Sequence, residues 1–254
     1  MNTIVLTNSN AGTQYKYKLS LKLFNPMKLD NCSVCISDIS LYYSWPNIKA
    51  SYGNNKCKYK KTADNKEYSI TIPDGSYEIK DLNDYIHHVM ENNGDIKDDK
   101  GKYPIELYAN RIYQRVTIET KDKYILELPV DGLGKVLGFT KVPEQGVKQV
   151  YIGPNKIQNG DIIPQVERVE SVCVHCNLVN NIYQLDDTLI DSFTPDKSFA
   201  NLLNIKPNFP KWRNTRTYTF NEIEVWFTDQ DNKPLDIEDP KIRVELQIKI
   251  DVNL

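Results

Sequence analysis

Cys32-Ser-Val-Cys35 and Cys173-Val-His-Cys176 are the residues whose types and spacing come nearest to chemistry. Two C-x-x-C pairs supply the donors of a tetrahedral zinc site, with His175 as a spare ligand. Their surroundings oppose that reading. Both pairs lie in runs rich in valine and isoleucine, and strand residues three apart point to opposite faces. Val172, Val174, Cys176 and Leu178 are expected to share an apolar face, with Cys173 and His175 pointing outward. Five free thiols, buried or half-buried, are the expected state. An odd count in a chain of 254 residues also makes no disulfide framework.

The other candidates are weaker. Asp229, Asp231 and Asp236 suggest a calcium loop, but the EF-hand glycine and terminal glutamate are missing, and Asn232 stands where the glycine would. A polar turn held by Asp and Asn side chains is expected instead. His87 and His88 are adjacent on a helix and diverge by about 100°, so they cannot chelate together. A solvated face is expected for both. Gly132-Leu-Gly-Lys135 is too short for a phosphate loop, and the chain has no nucleophile elbow, Walker loop or dinucleotide fingerprint. Lys56, Lys58, Lys60 and Lys61, with Tyr52 and Tyr59, form a basic–aromatic cluster of the kind that holds phosphate backbones. Asp64 and Glu67 follow at once, so a solvated loop is expected and direct nucleic-acid binding is not. No catalytic, cofactor or metal residue is assigned, and the chain reads as non-enzymatic. Three histidines, two of them adjacent on a helix, are too few for a cupin-like metal barrel.

The elements that must carry these residues are mostly strands. In Asn221 to Phe227, Ile223, Val225 and Phe227 alternate with Glu222, Glu224 and Trp226. In Lys241 to Asp251, Ile242, Val244, Leu246, Ile248 and Ile250 alternate with polar residues. A period of two means one face buried and one wet. The turn-rich segment between these runs predicts an antiparallel two-strand unit at the edge of a sandwich or barrel. Tyr15 to Phe24 alternates in the same way. Ser33 to Trp45 is a second long run whose alternation slips near Asp38, as a bulge would make it. Pro73-Asp74-Gly75 ends a strand, and Asp81 caps a helix with the stripe Leu82, Tyr85, Ile86, Val89 and Met90. Arg111 to Thr120 and Lys123 to Leu128 predict a hairpin turning at Lys121-Asp122. Leu133, Val136, Leu137 and Phe139 predict a short helix plugging a core.

Apolar residues make up 40% of the chain and charged residues 26%, enough for a real core under an ordinary surface. With 32 basic and 34 acidic side chains, no charge excess advertises nucleic acid. The first residues lack a signal peptide's basic flank and apolar stretch, and no window approaches the roughly 20 apolar residues of a membrane span. Roughly eight to ten strands with one or two short helices, and no Gly/Ser linker, point to an all-β chain. The expectation is a single jelly-roll β-sandwich domain over 1–254, with loop insertions near 46–65 and 143–164.

Three stretches together carry a family resemblance. Ile72-Pro-Asp-Gly-Ser-Tyr-Glu-Ile-Lys-Asp-Leu-Asn-Asp-Tyr-Ile86 resembles a P-x-G-x-Y-x-I-x-x-L-N strand-to-helix element. Gly134-Lys-Val-Leu-Gly-Phe139 resembles an L-L-G-F element, with Val136 in place of the first leucine. Phe227-Thr-Asp-Gln-Asp-Asn-Lys-Pro-Leu-Asp236 resembles a T-D-Q-D-G-x-P-L-D turn, with Asn232 in place of the glycine. With Val174-His-Cys-Asn-Leu178, and in this order, they look like the minor capsid (penton) proteins of Polinton/Maverick elements, adintoviruses and virophages. The match runs from about Ser69 to the end. The resemblance implies a virion protein without cofactor, made in the host cytoplasm or nucleus. It also implies a homopentamer at the icosahedral vertex, contacting the double-jelly-roll major capsid protein. Trp45, Trp212 and Trp226 are the aromatic anchors expected at such interfaces, against core packing as the other reading. A receptor- or carbohydrate-binding jelly-roll attachment module is the alternative function.

Overall fold

The computed structural model describes residues 2–7, 18–142, 146, 148–182, 187–239 and 241–251. Three strands open the chain: β1 (Asn2–Thr7), β2 (Lys18–Lys28) and β3 (Cys32–Tyr42). Then come β4 (Lys56–Lys61), β5 (Lys66–Thr71), α1 (Ile79–Asn92), β6 (Ile105–Asn110), β7 (Arg115–Thr120), β8 (Tyr124–Pro129), α2 (Leu133–Leu137), β9 (Gln149–Ile152) and β10 (Lys156–Asn159). The last group is β11 (Val172–Cys176), β12 (Leu189–Phe193), β13 (Leu202–Ile205), β14 (Arg213–Asn214), β15 (Thr219–Thr228) and β16 (Arg243–Ile250). All named pairings are antiparallel. The fold is an all-β jelly-roll sandwich with two short helices. Contacts divide it into two compact units: Met1–Trp45 with Val169–Leu254, and Pro46–Arg168. The stretches 46–65 and 143–164, read from sequence as loop insertions, both belong to the second unit; residues 143–145 and 147 lie outside the described residues.

The first unit has two sheets, ordered β1-β16-β3-β13 (with β14 also on β3) and β12-β11-β15-β2. Alternation fills its core. Val244, Leu246 and Ile248 of β16 and Ile36, Ile39 and Leu41 of β3 share one apolar cluster with Val174 and Cys176 of β11 and Ile223, Val225 and Phe227 of β15. The slip near Asp38 is a bulge: Asp38 stands opposite Glu245 and Ile36 opposite Leu246, which leaves Ser37 as the extra residue. Its hydroxyl donates to the Glu245 carbonyl at 3.2 Å.

Two expectations about pairing are overturned. β15 and β16 are not partners. β15 lies between β11 and β2, while β16 lies between β1 and β3, so the segment after Thr228 crosses from one sheet to the other. Both are central strands, and Ile250 leaves the apolar face at 75% exposure. Residues 15–17 lie outside the described residues; the alternation from Lys18 onward lies in β2.

The second unit pairs strands in the orders β5-β4-β8-β9 and β10-β7-β6. The hairpin expected at Lys121-Asp122 does not form, because β7 and β8 belong to different sheets. β7 turns back on β6 instead, with Asn110 opposite Arg115. α1 sinks Leu82, Ile86 and Met90 into this unit's core, α2 adds Leu133 and Leu137, and Phe139 follows just after the helix end. Asp81 caps α1 from the third helical position: its carboxylate accepts the Glu78 backbone N–H at 2.8 Å.

Candidate interaction surfaces

The cysteine pairs come apart as strand geometry requires. Cys176 is wholly buried in the first unit's core beside Val174, and Cys173 lies on the opposite face, half-exposed. Burial pushes the Cys176 and Cys57 thiols up to about 12, so both stay protonated and are poor ligands and nucleophiles at neutral pH. Among the described residues no three His, Cys, Asp or Glu side chains gather around a point that would hold one ion. His175 is buried, not solvated. Its ring stacks on Trp226 at 5.4 Å, and Nε2 and Nδ1 lie 2.9 and 3.2 Å from the Thr228 and Thr188 hydroxyls. Outward alternation placed the side chain on the right face, but the neighbouring strands' side chains cover it.

The aspartate loop is a turn. One Asp229 carboxylate oxygen accepts the N–H groups of Asp231 and Lys233 at 3.0 and 2.9 Å, and Asn232 takes φ +61°. That conformation explains why asparagine suffices where the resembling motif has glycine.

His87 also departs from the solvated face expected of it. It is 7% exposed, stacked on Tyr103 at 3.7 Å, with Nε2 2.9 Å from the Ile105 carbonyl. His88 is exposed. Tyr103 donates to Glu91, which raises its phenol to about 12. The lysine cluster splits by strand alternation. Tyr59 is wholly buried, and its hydroxyl donates to Asp95 at 2.8 Å. The same carboxylate accepts from Tyr124 at 2.7 Å and pairs with Lys61 at 2.6 Å. Burial alone would lower the Lys61 ammonium, but Asp95 leaves it raised. Lys58 pairs with Glu67 at 2.6 Å. Lys56, Lys58 and Lys60 thus share the outer face of β4, with Glu67 opposite Lys60 and Glu127 opposite Lys58, while Tyr59 and Lys61 serve the other face.

The resembling motifs have local physical reasons. Gly75 exchanges backbone bonds with Ile48, and the Tyr77 ring folds back over it, its hydroxyl donating to the Pro73 carbonyl at 3.0 Å. Gly138 ends α2 at φ +84°, where a Cβ would meet the Ile162 carbonyl oxygen at 2.4 Å.

The three tryptophans occupy different settings. Trp45 is 2% exposed, packed on Tyr43 at 4.4 Å in the first unit's core, and its indole N–H has no partner among the described residues. Trp212 is half-buried under the Lys249 ammonium, 4.4 Å from the ring centre. Trp226 is half-buried on the outer face of β15.

A larger apolar display escaped the sequence reading because Arg111 to Thr120 reads there as one strand. The β6–β7 turn holds Ile112 at 88% and Tyr113 at 61% exposure. The Asn110 carboxamide accepts both their N–H groups, at 3.2 and 3.4 Å. An asparagine before an arginine-flanked apolar pair was the signal available. No helix among the described residues is long and apolar enough to cross a membrane.

No protein-family model matches the sequence, and no curated protein does. Among solved structures the chain is similar to the crystal structure of the selenomethionine-labelled mavirus penton protein. That likeness covers 97% of this chain and 98% of the other, with a TM-score of 0.50 at 13% identity. At that identity the likeness is one of fold.

Proposed function

We infer that this chain is a penton-type minor capsid subunit. In this reading it is a structural, non-catalytic protein that forms homopentamers at icosahedral vertices of a virion and contacts double-jelly-roll major capsid proteins. The observation that carries the reading is the reach of the fold likeness. It spans nearly the whole of both chains, not one shared sandwich. The sequence motifs resembling Polinton, adintovirus and virophage pentons support the same role. Half-buried Trp212 and Trp226 suit interface anchors, whereas Trp45 serves the fold. Sedimentation of the purified chain is the test. A pentamer that binds the major capsid protein of the same genome is expected; a monomer at every concentration, without that affinity, counts against the role.

One observation favours a second reading, a carbohydrate-binding attachment module. A depression of about 380 Å³ on the second unit's β5-β4-β8-β9 sheet is lined by Lys56, Lys58, Ser69, Thr71, Glu127 and Gln149. Tyr151, 48% exposed, stands across from Glu127. A glycan array on the pentamer tests it: binding abolished by Tyr151→Ala supports attachment, and no glycan retained removes it.

A further inference from the structure

We propose that the β6–β7 turn of one copy seats in an acidic groove beside α1 and β6 of a second copy. Copies of this chain would then join head to tail through the second unit. The proposal rests on the self-association reading above and names a contact that reading leaves open.

The turn is a preformed plug. Ile112 and Tyr113 stand out from the chain at 88% and 61% exposure, so they do not fill a groove of their own copy. The Asn110 bonds fix the backbone, Gln114 takes φ +52°, and the Arg115 guanidinium donates to the Gln114 carbonyl at 3.0 Å. Little ordering is left to be done on binding. Arg111 and Arg115 flank the apolar pair and form no ion pair among the described residues.

The groove is the complement in both respects. Its volume is about 570 Å³, inside the roughly 300–1,000 Å³ of specific pockets. Ile79, Leu107 and Val166 give it an apolar floor, and Glu78, Asp84, Glu106 and Glu167 ring it against the single ammonium of Lys80. Two guanidiniums around an aromatic–aliphatic pair meet four carboxylates around apolar side chains. Tyr and Arg are also the residues that most often dominate such contacts. Plug and groove adjoin on β6, so a reciprocal two-fold pair would satisfy the same contact; the proposed arrangement is the head-to-tail one, in which each copy gives one plug and takes another, and a native assembly that stops at a dimer overturns it.

The test uses the full chain in three forms, followed by sedimentation and mass photometry. A plug variant carries Arg111→Ser and Arg115→Ser, neutral so that its plug is not complementary to a reversed groove. A groove variant carries Asp84→Lys and Ala109→Lys, both at exposed positions. Each alone is expected to self-associate at least roughly tenfold more weakly than the native chain. Mixed one to one, they retain one intact plug and one intact groove, so they are expected to form a dimer that grows no further. A separate pair, Ile112→Ser with Tyr113→Ser, should weaken association without touching charge. If either charge variant keeps native assembly, the contact falls while the self-association reading stands. Folded variants that fail to dimerise when mixed overturn the pairing of plug with groove. A native chain that stays monomeric removes the reading and the proposal together. A monomer that binds phosphatidylserine vesicles through Ile112 and Tyr113 would assign the plug to a lipid surface and overturn the contact.

Discussion

Asp95 shows how much one side chain holds in this chain. Its carboxylate gathers the Tyr59 and Tyr124 hydroxyls and the Lys61 ammonium with almost no water present. Asp95→Ala strands three donors and is expected to cost about 3 kcal/mol, read from urea unfolding. Burial first, then the bonds to Asp95, raise both phenols above their ordinary value near 10. The unfolded chain therefore loses these protons at lower pH than the folded one. Stability from this network is whole below about pH 10 and declines above it. Melting temperatures across the alkaline range check the decline, and Tyr124→Phe should flatten it. Gly138 is the second sensitive position. Alanine there must hold φ +84° with its methyl 2.4 Å from the Ile162 carbonyl oxygen. Gly138→Ala is expected to destabilise by roughly 2–4 kcal/mol in the same assay, where an exposed substitution would move little.

Strands were more legible than their partners. Alternation named the buried faces of β15 and β16 almost residue by residue, because burying one face of a sheet imposes a period of two. The same pattern is silent about which strand lies alongside. β15 and β16 are sequence neighbours with a turn-like connection, yet they sit in opposite sheets. β7 and β8 repeat the lesson: Lys121-Asp122 looks like a hairpin turn, and the real turn lies one strand earlier. The slip at Asp38 was readable because an added residue breaks the period itself. The histidines were not, since cover from Trp226 over His175 and from Tyr103 over His87 depends on residues far along the chain. The tryptophans were ambiguous for the same reason: tryptophan fits core and contact alike, and Trp45 went to the core. Proline substitution tests the central place of β16. With β1 and β3 on its two sides, Gln247→Pro removes a ladder donor and is expected to cost roughly 3 kcal/mol. An edge strand would tolerate it.

At the scale of the molecule, the second unit has its own sheets, helices and apolar core, with Tyr59, Leu82, Ile86, Ile118, Leu126 and Phe139 all wholly buried. A fragment covering 46–168 is therefore expected to unfold in one cooperative transition by circular dichroism, and a fragment without one would refute its independence. The first unit is assembled from both ends of the chain, before Pro46 and after Arg168. This division has a consequence for birth on the ribosome. The whole of 46–168 emerges while β2 and β3 still await β15 and β16, which are translated after it. Nascent chains stalled far enough past Arg168 for that residue to clear the exit tunnel should carry a folded second unit and an unfinished first one, its β2 and β3 exposed to chaperones until β15 and β16 emerge.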